Sequence, residues 1–319
     1  MFTLGIDLGG TNVKAGLCDG DGKLIKKMSL PTQRDSTADE VTDSMARLCY
    51  MLLEECGVSA EELEYVGVAA PGTADLEKGE IVFCNNLPFL HYPLEKEFSA
   101  RFPAKKVYLE NDANAAALGE VVCGGAKGVK SAIIVTLGTG VGSGIIIDGK
   151  IYSGFNFAGG EIGHMVIEMD GKACTCGRKG CFEAYSSATG LINSTKEAMD
   201  LNPDSLMWDI CEENGNKVNG QTAFLACGKG DKAAKEVVDG YIAYLACGII
   251  NIINIFQPEV ICIGGGVSNE GDNLFLPLME RVNKEQYSRF CDKKTDIRMA
   301  LLGNDAGIIG AAMLGKQSK

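Results

Sequence analysis

The sequence predicts an α/β fold organised as two related domains. Three observations point there. Short apolar segments of strand length alternate with longer helical ones. A glycine-tipped hairpin occurs twice, as Leu4-Gly5-Ile6-Asp7-Leu8-Gly9-Gly10-Thr11-Asn12-Val13-Lys14-Ala15-Gly16-Leu17 and again as Ile133-Ile134-Val135-Thr136-Leu137-Gly138-Thr139-Gly140-Val141-Gly142-Ser143-Gly144-Ile145-Ile146. The 319 residues suffice for two sizeable cores, and no low-complexity linker separates them, so the domains are expected to share a cleft.

The elements follow in order. After the first hairpin, Lys23 to Ser29 predicts a third strand, and Ser36 to Glu55 an amphipathic helix with Thr37 and Glu40 in capping-box spacing. Tyr65 to Ala69 is a short buried strand that must turn at Pro71-Gly72. Val107 to Leu109 is a strand, followed by an alanine-rich helix from Asp112 to Val122. Beyond the second hairpin lie a cysteine-rich segment and a mainly helical stretch from about Phe182 to Phe256. Val260 to Ile263 is a buried strand ending in Gly264-Gly265-Gly266, Ile297 to Leu301 another strand, and Asp305 to Leu314 a small-residue helix.

Composition narrows the function. Hydrophobic residues at 46% and charged residues at 23% are ordinary for a globular protein. The net charge of -12 without a basic cluster argues against a nucleic-acid surface. No apolar run approaches the roughly 20 residues of a membrane helix. The longest apolar helix candidate, Tyr241 to Phe256, is interrupted by Asn251 and Asn254 and is expected in the core. Thirteen cysteines, an odd number, with no targeting segment ahead of the first strand, point to free thiols in the cytoplasm.

His164, Cys174, Cys176 and Cys181 form the strongest constellation. One imidazole and three thiolates make a full tetrahedral set for zinc. Gly177 and Gly180 allow the tight turns that would gather the sulfurs. All four candidate ligands are protein groups, which makes the metal structural. Chance clustering and burial as small apolar residues are the competing accounts of the cysteines. The acids Glu161 and Glu183 lie just outside this set, and a purely structural knot does not require them. The only other histidine, His91, lies beside Tyr92 and Pro93 in a loop and is expected to be a surface or structural residue.

The two glycine tips, with Thr11, Thr136 and Thr139 nearby, suit a polyphosphate gripped through backbone N–H groups; good turns alone would explain them too. Asp7, just ahead of the first tip, would repel phosphate unless a cation intervenes, which implies Mg²⁺. Neither a P-loop nor a dinucleotide fingerprint is present. Asp112 opens a helix at a strand end. Two roles fit it there, a helix N-cap and a general base in a ligand cleft.

The blocks Asp7-Leu8-Gly9-Gly10-Thr11, Glu110-Asn111-Asp112-Ala113-Asn114-Ala115, Leu137-Gly138-Thr139-Gly140-Val141-Gly142, Gly160-Glu161-Ile162-Gly163-His164 and Cys174 to Glu183 resemble, in order and spacing, those of the ROK family of sugar kinases and repressors. The resemblance spans essentially the whole chain and is strongest to the family's ATP-dependent sugar kinases of glucokinase type. It implies the two-domain fold of actin, Hsp70 chaperones and hexokinases (ribonuclease H-like), with a cleft between the domains. A smaller domain of residues 1–112, completed by the terminal helix at about 302–319, would face a larger one of residues 113–301 that holds the zinc loop.

The same resemblance implies the roles. Asp112 matches the catalytic base. Gly72, Asn86 (with Leu87), Asn111, Asp112, Glu161, His164 and Glu183 match sugar-binding positions. Asp7, Gly9, Gly10, Thr11 and Lys14 belong to the first phosphate loop, Gly138, Thr139 and Gly140 to the second, and Gly264, Gly265 and Gly266 to a loop near the adenosine. His164, Cys174, Cys176 and Cys181 match zinc ligands. The expected cofactors are ATP, Mg²⁺ and a structural Zn²⁺, and the expected assembly is a homodimer or homotetramer. The resemblance leaves the sugar open among glucose, N-acetylmannosamine, N-acetylglucosamine, fructose and allose, and admits a non-catalytic sugar sensor. A repressor would need a DNA-binding domain ahead of the first hairpin, where Asp7 is already the seventh residue, so none is expected.

Overall fold

The computed structural model describes residues 1–32, 36–84 and 86–317. In chain order, β1 (Phe2–Leu8), β2 (Asn12–Cys18) and β3 (Leu24–Pro31) are followed by α1 (Ala38–Cys56) and β4 (Leu63–Ala70). Next come β5 (Thr73–Asp75), β6 (Glu80–Phe83), β7 (Leu90–Tyr92), α2 (Leu94–Arg101), β8 (Val107–Asn111) and α3 (Asp112–Cys123). Then follow β9 (Ala132–Leu137), β10 (Val141–Ile147), β11 (Lys150–Ile151), α4 (Phe182–Ser186), α5 (Ala188–Leu201), α6 (Met207–Glu213) and α7 (Thr222–Gly228). The chain ends with α8 (Lys232–Phe256), β12 (Val260–Gly264), α9 (Asp272–Glu285), β13 (Asp296–Met299) and α10 (Ala306–Met313).

The repeated hairpin seeds a repeated sheet. One sheet has the order β3-β2-β1-β4-β8 and the other β11-β10-β9-β12-β13, the same order when each sheet's five strands are ranked along the chain; β5, β6 and β7 form a separate small sheet. In the first, β1 and β2 are antiparallel from Thr3↔Cys18 to Leu8↔Val13, while β4 and β8 add in parallel. Parallel addition sends the carboxyl ends of β1, β4 and β8 to one edge, where α/β sheets bind ligands. Asp7, Ala70 and Asn111 lie at those ends.

The chain divides into two compact units. One comprises residues 1–134, 144–160 and 300–319, the other residues 135–143 and 161–299. In the first unit α1 begins at Thr37, whose side chain accepts from the Glu40 amide while the Glu40 carboxylate accepts from Thr37 N–H at 2.7 Å. The expected capping box is therefore formed. Helix α1 buries Val41, Met45, Leu48 and Leu52, a 3.6-residue stripe, in one core with Leu4, Ile6, Val66 and Val68. Each such side chain contributes about 1.5–3 kcal/mol by leaving water. Helix α10 packs on α3, β1 and β4. Its Gly310 backbone lies against the Ala115 carbonyl, leaving no room for a Cβ.

The α3–α10 region is also held by Glu120, which is 1% exposed. Its carboxylate accepts the N–H groups of Gly125 (2.7 Å), Leu301 (3.1 Å) and Leu302 (2.8 Å). Glu120→Ala strands the buried Gly125 donor, at about 1–3 kcal/mol, and frees the less buried amides of Leu301 and Leu302, so unfolding free energy should fall by about 2 kcal/mol. Urea denaturation checks this; a loss under about 1 kcal/mol would remove Glu120 from the stability argument.

In the second unit α8 starts at Lys232, capped by Asp231, nine residues before the expected Tyr241. That length makes it the one helix among the described residues long and apolar enough to cross a membrane by length and composition. More than half of its apolar window is buried inside the protein, and it packs against α4, α5, α7 and α9. Tyr241 anchors it by donating to the Ser186 carbonyl at 2.7 Å. Strand β13 ends at Met299 rather than Leu301, because Glu120 takes the next amides.

Candidate active site and metal centre

In the first unit the β8–α3 junction organises the candidates. Asn111 caps α3: its Oδ1 accepts from Ala113 N–H (2.9 Å) and Asn114 N–H (3.2 Å). Of the two roles the sequence left open for Asp112, the N-cap is therefore taken by Asn111. Asp112 is the first helical residue and half-buried, with Oδ1 accepting from Ala113 N–H at 2.8 Å. Asn111 Nδ2 donates to the Gly72 carbonyl at 3.0 Å, so these two candidates are brought together. Gly72 has φ of 89°, and a Cβ there would strike the Phe83 carbonyl; glycine satisfies both constraints. Asn86 lies exposed between β6 and β7. His91, expected in a loop, instead lies in β7; it is exposed, 3.5 Å from Glu80.

The first glycine tip joins β1 to β2. Gly9 N–H closes it by donating to Asn12 O at 3.0 Å, and Thr32 Oγ1 donates to Gly9 O at 2.7 Å. Thr11 is exposed at the tip. Asp7 Oδ2 lies 2.9 Å from Lys14 Nζ, directly opposite in the β1–β2 register. Lys14 thus provides positive charge beside the carboxylate for which the sequence suggested a cation. In the second tip Gly138 N–H donates to Gly140 O at 3.0 Å. Gly9 and Gly138 thus spend their N–H groups closing their own turns.

The second unit gathers the remaining phosphate-loop candidates. Gly265 (φ 87°) packs on the Leu137 backbone, next to the Gly138-Thr139-Gly140 tip, so Gly264, Gly265 and Gly266 neighbour it. Thr189 Oγ1 donates to Thr139 O at 2.7 Å and Ala188 N–H to Gly138 O at 2.8 Å, fixing the tip to the start of α5. Residues 188 and 189 carry no motif that could have announced this.

The cysteine cluster lies in the same unit. The ligand atoms of His164, Cys174, Cys176 and Cys181 all fall within 4.8 Å of one another. Cys176 Sγ and Cys181 Sγ are 3.7 Å apart, as are Cys174 Sγ and His164 Nδ1. Zinc arms of about 2.3 Å give sulfur–sulfur edges of about 3.8 Å, so the set fits a tetrahedral ion. Gly177 and Gly180 take φ of 90° and 77°, as the turns require. Burial pushes the Cys181 thiol up to about 12, whereas the Arg178 backbone N–H holds the exposed Cys176 below the usual thiol range. A buried thiolate at 181 therefore needs positive charge beside it, which a metal ion supplies. Tyr185 and Tyr244 brace the loop: Lys172 N–H donates to Tyr185 Oη (2.6 Å) and Tyr244 Oη donates to Glu168 (2.6 Å).

The acids flanking the cluster are tied to it. Glu183 Oε1 accepts from Thr175 Oγ1 at 3.2 Å and lies 3.6 Å from Cys174 Sγ. Glu183 Oε2 accepts from Val141 N–H at 3.0 Å and rests against Gly140, where any Cβ would collide. Glu161 is exposed, one residue before the 3₁₀ turn Ile162–His164, and its carbonyl accepts from His164 N–H at 3.1 Å. Glu161, His164 and Glu183 thus border one cluster in this unit. Gly72, Asn86, Asn111 and Asp112 belong to the other.

The ROK family pattern fits residues 3–318. This chain belongs to the ROK family. It is 37% identical to the glucokinase of Thermotoga maritima over 315 residues, 98% of this chain and 97% of that one. Identity to the glucokinase of Halalkalibacterium halodurans is 35% over 319 residues, 99% and 95% of the two chains. The crystal structure of a ROK family glucokinase from Streptomyces griseus in complex with glucose and AMPPNP superposes with a TM-score of 0.79 at 30% identity, covering 99% of this chain and all of that one. This chain has the two-domain actin-like α/β fold that the family resemblance implied.

Proposed function

We propose that this chain is a sugar kinase that transfers the γ-phosphoryl group of ATP to glucose, forming glucose 6-phosphate and ADP. The observation that carries it is the division of labour at the start of α3. Asn111 does the capping, so the structural role that could have explained Asp112 is already filled. The near full-length similarity to two glucokinases supports the choice of sugar.

In the proposed reaction, Asp112 takes the proton from the 6-hydroxyl as its oxygen attacks the γ-phosphorus. The bond to the β–γ bridging oxygen breaks and ADP leaves. Such transfers depend mainly on in-line positioning and charge neutralisation. Gly72, Asn86, Asn111, Glu161, His164 and Glu183 would bind the sugar hydroxyls. The tips at Gly9-Gly10-Thr11, with Lys14, and at Gly138-Thr139-Gly140 would hold the phosphates, and Gly264-Gly265-Gly266 the adenosine. Mg²⁺, held near Asp7 through water, would neutralise phosphate charge when bound. Zn²⁺ on His164, Cys174, Cys176 and Cys181 would be structural: four protein ligands leave no position for water. Its task would be to hold His164 and Glu183 toward the sugar. A homodimer or homotetramer in the cytoplasm completes the proposal; a monomer in sedimentation equilibrium would sink the assembly part.

The test is ATP turnover with glucose, mannose, fructose, allose, N-acetylglucosamine and N-acetylmannosamine. Glucose should have the highest kcat/KM by at least about tenfold, because a site built to pair hydroxyls strongly disfavours analogues that leave its groups unpaired. A higher kcat/KM for an acetamido sugar would replace glucose as the substrate. No turnover with any of them would leave a sugar sensor.

A further inference from the structure

Glu110 is a buried carboxylate that the reaction described above does not use. It is 5% exposed, and it immediately precedes the Asn111 cap in β8. Its Oε1 accepts two bonds, from Asn111 N–H at 2.9 Å and from Asn114 Nδ2 at 3.0 Å. Its Oε2 is within 3.5 Å of the Ser153 hydroxyl. One carboxylate oxygen therefore holds residues on both sides of Asp112.

This arrangement ties the backbone before Asp112 to a side chain after it. Asp112 stands where the extended backbone of β8 becomes helical, and turning that junction would swing its carboxylate. A base must come within about 2.6–3.2 Å of the proton it takes. A misplacement of about 1 Å can cost about 100-fold in rate. Asn111 is already committed to the cap and to Gly72, so the whole corner is tied through Glu110.

The tie is costly to stability. Burial pushes the Glu110 carboxyl above the usual carboxylate range, against the hydrogen bonds from Asn114, Asn111 and Ser153. The charged groups that line the adjoining cavity are Glu95, Lys106 and Lys150. A side chain needed only for packing would be better uncharged. A charged acceptor, however, makes hydrogen bonds roughly twice as strong as a neutral one.

We propose that Glu110 is a positioning residue for phosphoryl transfer, locking Asn111 and Asn114 so that Asp112 is held against the acceptor hydroxyl. The role rests on Asp112 being the general base.

The experiment compares the wild-type chain with Glu110→Gln and Asn114→Ala in steady-state kinetics with ATP and glucose at pH 8, and by thermal unfolding at pH 8 and pH 5. Glutamine keeps the shape and loses the charge. Its kcat should fall about tenfold with the KM for glucose changed less than about threefold. Because the folded-state pKa of Glu110 is raised, the wild type loses stability as pH rises above the unfolded value of about 4.3. Glu110→Gln should therefore melt at the wild-type temperature or higher at pH 8, with a smaller advantage at pH 5. Asn114→Ala, which removes one of the two donors, should lower kcat in the same direction. A wild-type kcat in Glu110→Gln overturns the role, as does a lower melting temperature at pH 8 or failure to fold, either of which marks the group as structural. A wild type inactive on every sugar overturns the base assignment and this role with it.

Discussion

Asp112→Asn should lower kcat for glucose by about 100- to 10,000-fold, the usual worth of a general base. The amide has nearly the same shape and keeps an oxygen for the Ala113 N–H that Oδ1 accepts at 2.8 Å. The cap on α3 belongs to Asn111 and is untouched. Helix, fold and glucose pocket should therefore persist, and only proton abstraction is lost. Steady-state turnover and glucose titration calorimetry together check this. A kcat within about tenfold of wild type would sink the mechanism, and a large loss of glucose affinity would recast Asp112 as a binding residue.

The second large effect concerns the metal centre. Purified protein should hold one zinc per chain, and Cys176→Ala should lose it. Cys176 is exposed, so the substitution removes little packing. Any large loss of stability therefore reports the missing ion, whose binding free energy is folding free energy. The expected loss is several kcal/mol in urea denaturation, on the order of the cost of removing a structural cross-link. Glucose affinity should fall with it by about tenfold or more. The coupling has a short path: Glu183 Oε1 is 3.6 Å from Cys174 Sγ, and His164 is itself a ligand candidate. Zinc-free protein that stays folded and binds glucose normally would separate the two functions.

Chemistry written in neighbouring residues was readable without coordinates. The capping box at Thr37 and Glu40 needs only a three-residue spacing, and it forms. The cysteine set is likewise local, since Cys174 to Cys181 fold back through two left-handed glycines. The duplicated hairpin foretold duplicated sheets because each copy supplies two neighbouring strands inside a five-stranded sheet. Short elements were less visible. Strands β5, β6 and β7 have three or four residues each, too few for a period. Helix α9 does carry the spacing Leu274, Leu278 and Val282, but Pro277 interrupts it and masks the signal.

Other features arise only from residues that are distant in the chain. Asn111 and Asp112 are both good cap residues, and which one caps was decided by the end of β8, where the backbone is still extended at Asn111. Glu120 reads as an ordinary acid in a helical neighbourhood, and Glu110 as one member of the family block with no role of its own. Their importance comes from partners at Ser153 and at Leu301 and Leu302. The Asp7–Lys14 pair needs the β1–β2 register, and the approach of Gly265 to Leu137 needs β12 to return to the second hairpin. Local patterns announce residue types and turns because they depend on the chain's own geometry. Whether a carboxylate caps, braces, neutralises or takes a proton depends on which distant donors fold against it, and that is settled only when the sheets and helices pack.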